Sequence, residues 1–156
     1  MDAGPPKMEL PKIEGARLLF VVAPYYRNIT DQLLQGAHAV AAEAGAKVDV
    51  IEVPGAFEVP QAIAMYGNKY EGYVALGCVI RGETSHYDYV CGESARALMD
   101  LGMNRQIQCG YGILTVDTMA QAEDRANPNG RDKGGEATRA CVTLVSLKRK
   151  LTNTSR

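Results

Sequence analysis

The sequence has no pair of cysteines in a C-x-x-C arrangement and only two histidines, His38 and His86. Its four cysteines, Cys78, Cys91, Cys109 and Cys141, are far apart in the chain. A zinc site or redox dithiol lacks its ligand spacing, so no metal is expected. Each cysteine reads as a small buried hydrophobe. Free thiols suit a reducing cytoplasm better than a secreted, disulfide-bonded scaffold, so a cytoplasmic location is expected. No apolar run approaches the length that spans a bilayer, and no membrane association is expected. The first residues carry Pro5, Pro6 and Pro11 among charges and lack the apolar centre of a signal peptide. The formal net charge is −1, which gives no general attraction to nucleic acid or anionic lipid. No basic run interleaves with aromatics, which removes support for a nucleic-acid partner. The glycine-rich dinucleotide fingerprint and the phosphate-loop lysine motif are both missing, as is the serine elbow of hydrolases. No cofactor is expected.

What is present is a chain of 156 residues, long enough for one domain with a real core. Arg17-Leu18-Leu19-Phe20-Val21-Val22 reads as a strand buried on both faces. A helix is predicted over residues 29–44, with Leu33, Leu34, Ala37, Val40, Ala41 and Ala44 as its apolar stripe and Gly45 placed to end it. Residues 47–53 alternate as a strand. Residues 54–58 form a loop before a short helix to about Gly67, and residues 72–80 are a third buried strand. Another helix is predicted over 86–101, with Tyr87, Val90, Ala95, Ala97, Leu98 and Leu101 available for its buried side. A fourth strand follows at 107–116. Thr118 then caps a short helix to about Ala126, Asn127-Pro128-Asn129-Gly130 is a turn by chemistry, and a last helix covers about 135–150. Alternating strands and helices imply an α/β fold, a three-layer αβα sandwich on a four-stranded parallel sheet. Residues 17–150 are the expected domain. Residues 1–16 read as an arm too poor to extend the core alone, one that packs on a neighbouring subunit, and residues 151–156 as a frayed tail.

In such a sheet, ligands bind beyond the carboxyl ends of the strands. That rule singles out Tyr25-Tyr26, residues 55–58, residues 81–86 and the segment from Thr115 onward. Gly82-Glu83-Thr84-Ser85-His86 opens a helix. Free amides at a helix N-terminus fed by a glycine loop suit an anion, phosphate above all. Imidazole in the first turn is the side chain that exchanges protons near neutrality. The same residues would also serve an ordinary capped helix with a surface histidine. In Gly55-Ala56-Phe57-Glu58, small residues let a flat ring approach the backbone, and Glu58 offers a carboxylate to hydroxyls. The alternative is a helix start with Glu58 near the dipole. Tyr25 and Tyr26 either stack on an aromatic ligand or pack over the sheet edge. Arg125 and Lys133 flank a polar turn, where most basic residues are simply solvated.

At these loops the chain resembles the lumazine synthase family, over roughly residues 18–147. The matching stretches are Val53-Pro-Gly-Ala-Phe-Glu-Val-Pro60, Leu76-Gly-Cys-Val-Ile-Arg-Gly-Glu-Thr-Ser-His-Tyr-Asp-Tyr-Val90, Gly112-Ile-Leu-Thr115, and Arg125 followed by Lys133-Gly134. The resemblance implies a flavodoxin-like fold and a cofactor-free condensation. 5-Amino-6-ribitylamino-uracil and 3,4-dihydroxy-2-butanone 4-phosphate would give 6,7-dimethyl-8-ribityllumazine, releasing phosphate and water. It implies Tyr25 stacking on the pyrimidine, a slot lined by Ala56, Val79 and Ile80, and Phe57 and Glu58 on the ribityl chain. Glu83 and Thr84 would present amides to the phosphate, and His86 would transfer protons. Tyr111, Arg125, Lys133 and Glu136 would come from an adjacent subunit, with Arg125 on the phosphate, Lys133 on substrate and Glu136 in support. Sites between subunits imply a homo-oligomer built of pentamers, and riboflavin synthase becomes a candidate partner. Three positions depart from the family pattern. Tyr25 stands for the more usual phenylalanine, Tyr26 for a frequent asparagine, and Glu83 for a small residue in the phosphate loop, where its carboxylate must turn away. Three other readings stay open: a non-catalytic flavin or lumazine binder, a flavodoxin-like electron carrier, and a structural shell protein, a role that can coexist with the enzyme.

Overall fold

The computed structural model describes residues 8–154. Four parallel strands, β1 (Arg17–Ala23), β2 (Lys47–Glu52), β3 (Gly72–Ile80) and β4 (Cys109–Val116), form one sheet in the order β2-β1-β3-β4. Five helices, α1 (Arg27–Glu43), α2 (Val59–Tyr66), α3 (His86–Arg105), α4 (Met119–Ala126) and α5 (Lys133–Thr154), connect and cover them.

Side chains alternate across a strand, and the two cores follow that alternation. Leu18, Phe20 and Val22 of β1 join Val74, Leu76 and Cys78 of β3 under α1, α4 and α5. Leu19, Val21 and Ala23 join Tyr73 and Ala75 under α2 and α3. The expected three-layer architecture is therefore present. Gly45 stops α1 with φ +83, a left-handed conformation that costs glycine little. Thr118 caps α4 by accepting from the Gln121 N–H at 3.1 Å, as its side-chain chemistry predicts.

Several boundaries differ from expectation. Ile13 and Ala16 are fully buried in this chain's own core, so that core begins before residue 17. The Ile13 N–H donates to Ala44 O at 2.9 Å, Lys12 Nζ to Glu43 O at 2.5 Å, and Arg139 donates to Met8 O. Residues 8–16 thus make contacts with their own chain, and Ile13 is buried beside the end of α1. The rest of the expected arm, Pro5 and Pro6 included, lies outside the described residues. At the other end, residues 151–154 continue α5 in place of the expected frayed tail, and residues 155–156 of that tail lie outside the described residues. No glycine or proline interrupts that segment. Helix α3 also runs past Leu101 to Arg105, and stops where Gln106 turns left-handed and donates its N–H to Leu101 O. Ala95, expected on the buried side of α3, is exposed.

Candidate active site

Because all four strands run the same way, their carboxyl ends gather four loops at one edge of the sheet. After β1, Tyr25 is 77% exposed and meets Tyr26 edge-on, with ring centroids 4.9 Å apart. Tyr26 packs partly on the core, and burial raises its phenol pKa. Arg27 follows at once and forks onto Glu52 with distances of 2.9 and 3.4 Å, which ties the tyrosine turn to the end of β2. After β2, Val53 N–H donates to Val22 O at 2.8 Å. A single 3-10 turn, Ala56–Glu58, then leads into α2. Ala56 is buried beneath the edge, Phe57 projects outward and Glu58 is half-buried.

Val79 and Ile80, half-buried, end β3. Gly82, Glu83, Thr84, Ser85 and His86 are all exposed. Ser85 is the residue before the helix but makes no side-chain cap bond. Thr84 does that work instead, its Oγ1 accepting from the His86 N–H at 3.3 Å. Among the described residues, no acceptor takes the N–H groups of Gly82, Glu83 or Thr84. These donors sit at the positive end of a twenty-residue helix, an arrangement that attracts anions.

A separate groove of about 400 Å³ runs along the open edge of β4. It is lined by Tyr111, Thr115, Arg125, Lys133 and Glu136 among others. Lys133 Nζ lies 3.2 Å from Glu136 Oε1, and Arg125 donates to Gln121 O at 3.2 Å. Tyr111 is 43% exposed. Desolvation raises its phenol pKa. The predicted site residues thus fall into two sets. Tyr25, Ala56, Phe57, Glu58, Val79, Ile80, Glu83, Thr84 and His86 share the strand-end edge. Tyr111, Arg125, Lys133 and Glu136 share the β4 groove, which none of the first set lines. A larger cavity, about 510 Å³, lies at the opposite end of the sheet among Tyr70, Glu71, Gln106 and Lys148, and holds no predicted site residue.

Sequence reasoning passed over Arg81, Tyr87 and Asp117 as a group. The Arg81 guanidinium stacks 4.2 Å from the Tyr87 ring centroid and bonds Asp117 at 3.0 Å. That bond is the main reason its pKa is raised. Burial raises the Tyr87 phenol, whose neighbour is the Thr115 hydroxyl. Arg81 and Asp117 are 36 positions apart, so only the strand order reveals their meeting.

Among the described residues, no helix is long and apolar enough to cross a membrane. No group of three or more His, Cys, Asp or Glu side chains is placed to hold a metal. A family model described as 6,7-dimethyl-8-ribityllumazine synthase matches residues 15–149. A curated relative of that name from Methylorubrum populi is 50% identical over 155 residues, covering 95% of this chain and 92% of the relative. One from Xanthobacter autotrophicus is 51% identical, covering 89% of this chain and 88% of its own. One from Agrobacterium fabrum is 51% identical, covering 86% of this chain and 95% of its own. A match of this extent, over the loops just described, means that the chain belongs to the 6,7-dimethyl-8-ribityllumazine synthase family, transferases of the penultimate step of riboflavin synthesis.

Proposed function

We propose that this chain condenses 5-amino-6-ribitylamino-uracil with 3,4-dihydroxy-2-butanone 4-phosphate, without a cofactor, at a site completed by two subunits. The observation that carries the reading is the division of site residues between the strand-end edge and the β4 groove. In a head-to-tail ring, the groove of one subunit would face the strand-end loops of the next, and the composite site would recur at every interface. A pentamer is the ring we infer, in the cytoplasm, with riboflavin synthase as the candidate partner that consumes the product.

The primary amine attacks the ketone, and the carbinolamine loses water. Phosphate then leaves, and the ribitylamino nitrogen closes the ring with loss of a further water. Each step moves a proton, which suits His86, exposed beside the free amides of its loop. Glu83 and Thr84 present amides to the phosphate. Arg125 stabilises its departing charge from across the interface, and Lys133, braced by Glu136, meets substrate there. Tyr25 stacks on the pyrimidine, Ala56, Val79 and Ile80 form its slot, and Phe57 and Glu58 hold the ribityl chain, with Tyr111 on the neighbour's side. Holding two substrates together supplies much of the remaining acceleration.

Two measurements test this reading. Chelator-treated protein given both substrates should produce lumazine absorbance, and product no faster than the uncatalysed background would end the enzyme reading. For the shared site, a His86→Ala chain is mixed with an Arg125→Ala chain under conditions of subunit exchange. Some interfaces then regain both groups, so activity should rise above either parent. Confirmed exchange without recovery would place both groups in one subunit.

A further inference from the structure

Arg81 joins two loops of the strand-end edge. Its backbone N–H donates to Val116 O at 2.9 Å, adding a rung to the pairing of β3 with β4. Its Nε donates to Asp117 Oδ1 at 3.0 Å and its Nη1 to Asp88 Oδ1 at 3.4 Å, while the guanidinium lies over Tyr87. Asp117 is itself held, its N–H donating to Gln121 Oε1 at 2.8 Å at the capped start of α4. Tyr87 and Asp88 belong to the first turn of α3, directly after His86. One planar cation therefore spans from the start of α3 to the start of α4. Between its anchors lie residues 82–85, exposed and with open space around Gly82. Little else in the chain packs on that loop, so its shape depends on how its ends are held.

We propose that Arg81 is a positioning residue for the anion loop. By fixing the first turn of α3 against Asp117, it keeps the amides of residues 82–84 and the His86 ring in a constant relation to the bound phosphate. It touches no reacting atom. Arginine suits the task because its flat fork meets two carboxylates while its face stacks on a ring, which a lysine ammonium does not reproduce. The proposal rests on the reading of residues 82–86 as the phosphate site.

Steady-state kinetics of the full chain, with inorganic phosphate as a competing probe, test it. Arg81→Ala should raise KM for the butanone phosphate about fivefold to tenfold, the scale expected when a few weak, exposed interactions are removed together. Inhibition by inorganic phosphate should weaken in proportion, while KM for the pyrimidine moves less than about twofold, because the stacking side of the site keeps its own anchors. Arg81→Lys should recover only part of the loss. Asp117→Asn should show a smaller loss in the same direction, and Arg81→Ala with Asp117→Asn should be no worse than Arg81→Ala alone, since one link is broken once. Independent losses that multiply would mean that Arg81 touches the phosphate itself, and would overturn the positioning role. Equal losses for both substrates, or none, would overturn it too. Thr84→Val and Arg125→Ala separate the two claims. If neither weakens phosphate inhibition, the phosphate site is misassigned and the Arg81 role falls with it. If they do and Arg81→Ala does not, the Arg81 proposal alone is wrong.

Discussion

The two faces of the sheet are covered to different degrees. On one, α1 buries Ile29, Thr30, Leu33, Gly36, Ala37, Val40 and Ala41, and α5 lies so close that glycines mark the contacts. A Cβ on Gly110 would collide with the Ala137 carbonyl, and one on Gly134 with the Leu33 carbonyl. On the other face, α3 is longer than α1 yet buries only Ser94, Leu98 and Leu101. Tyr89, Met99 and Met103 remain largely exposed, and a Cβ on Gly92 would meet nothing within 4 Å. The first face is closed tightly over the sheet, although Leu144, Leu147 and Leu151 of α5 stay exposed. The second carries an apolar surplus of the kind that marks contact with another molecule, which agrees with the proposed ring.

The contrast can be broken most directly at its glycines. Gly110→Ala should destabilise the chain by about 3 kcal/mol, because backbone and not a flexible side chain must give way. Urea denaturation measures this, and a cost near zero would show that the α5 face is looser than described. The next effect separates chemistry from packing. His86→Ala should slow turnover by about tenfold to a few hundredfold while leaving the urea midpoint in place, since the side chain is exposed. A matching fall in stability would make His86 structural.

Smaller, and of opposite sign, is the effect expected at Gly92. Alanine there should stabilise the isolated fold by about 0.5–1 kcal/mol, by restricting the unfolded chain. If Gly92→Ala instead lowers stability or dissociates the assembly, α3 is tightly covered by a neighbour at that point, which sharpens the contrast. The smallest effect belongs to the polar seam on the more tightly packed face. Arg149 holds both Glu71 oxygens at 2.8 Å and donates to Glu14 O. That hydrogen bonding keeps the Glu71 pKa below its usual value. A carboxylate with a lowered folded pKa adds stability above its unfolded pKa and loses it as pH falls through the folded value. The urea midpoint should therefore fall on acidification below the ordinary carboxylate range of about 4, and fall less steeply in Glu71→Gln. Identical slopes would mean that the seam contributes nothing.

Most of this layout is legible in the chain. The run from Gly72 to Ile80 is apolar throughout and forms β3 with those ends. The Gly45 stop and the Thr118 cap act as their chemistry requires. What misleads is local sequence without its tertiary partner. Gln106 carries no signal for a left-handed stop, so local pattern alone ends α3 a turn short. Ile107 is buried but gives its N–H to Leu101 O, so an apolar residue reads as strand just before pairing begins. Ile13 looks isolated among charges because the core it joins is built from residues distant in the chain. For the site, the strand-end rule locates the loops. The gathering of Tyr111, Arg125, Lys133 and Glu136 in one groove depends on β4 being an edge strand, and no local pattern encodes that.

The strand order also has a consequence for how the chain is made. The first of the four strands to leave a ribosome, β1, ends in the interior, with β2 on one side and β3 on the other. The β1–α1–β2 unit can pair early, with α1 setting His38 against Phe20, but the Gly72 end of β3 lies against Cys141 and Val145. Those residues lie on α5, the last of the five helices to emerge. Parallel pairing over such separations is slow, and a half-made sheet exposes both apolar side chains and an open strand edge. A nascent chain stalled after β3 would already carry the anion loop's leading glycine and yet have no roof over half its core. Translation pauses before α5 should therefore be the point at which chaperone capture, and not catalytic sequence, decides how much enzyme is recovered.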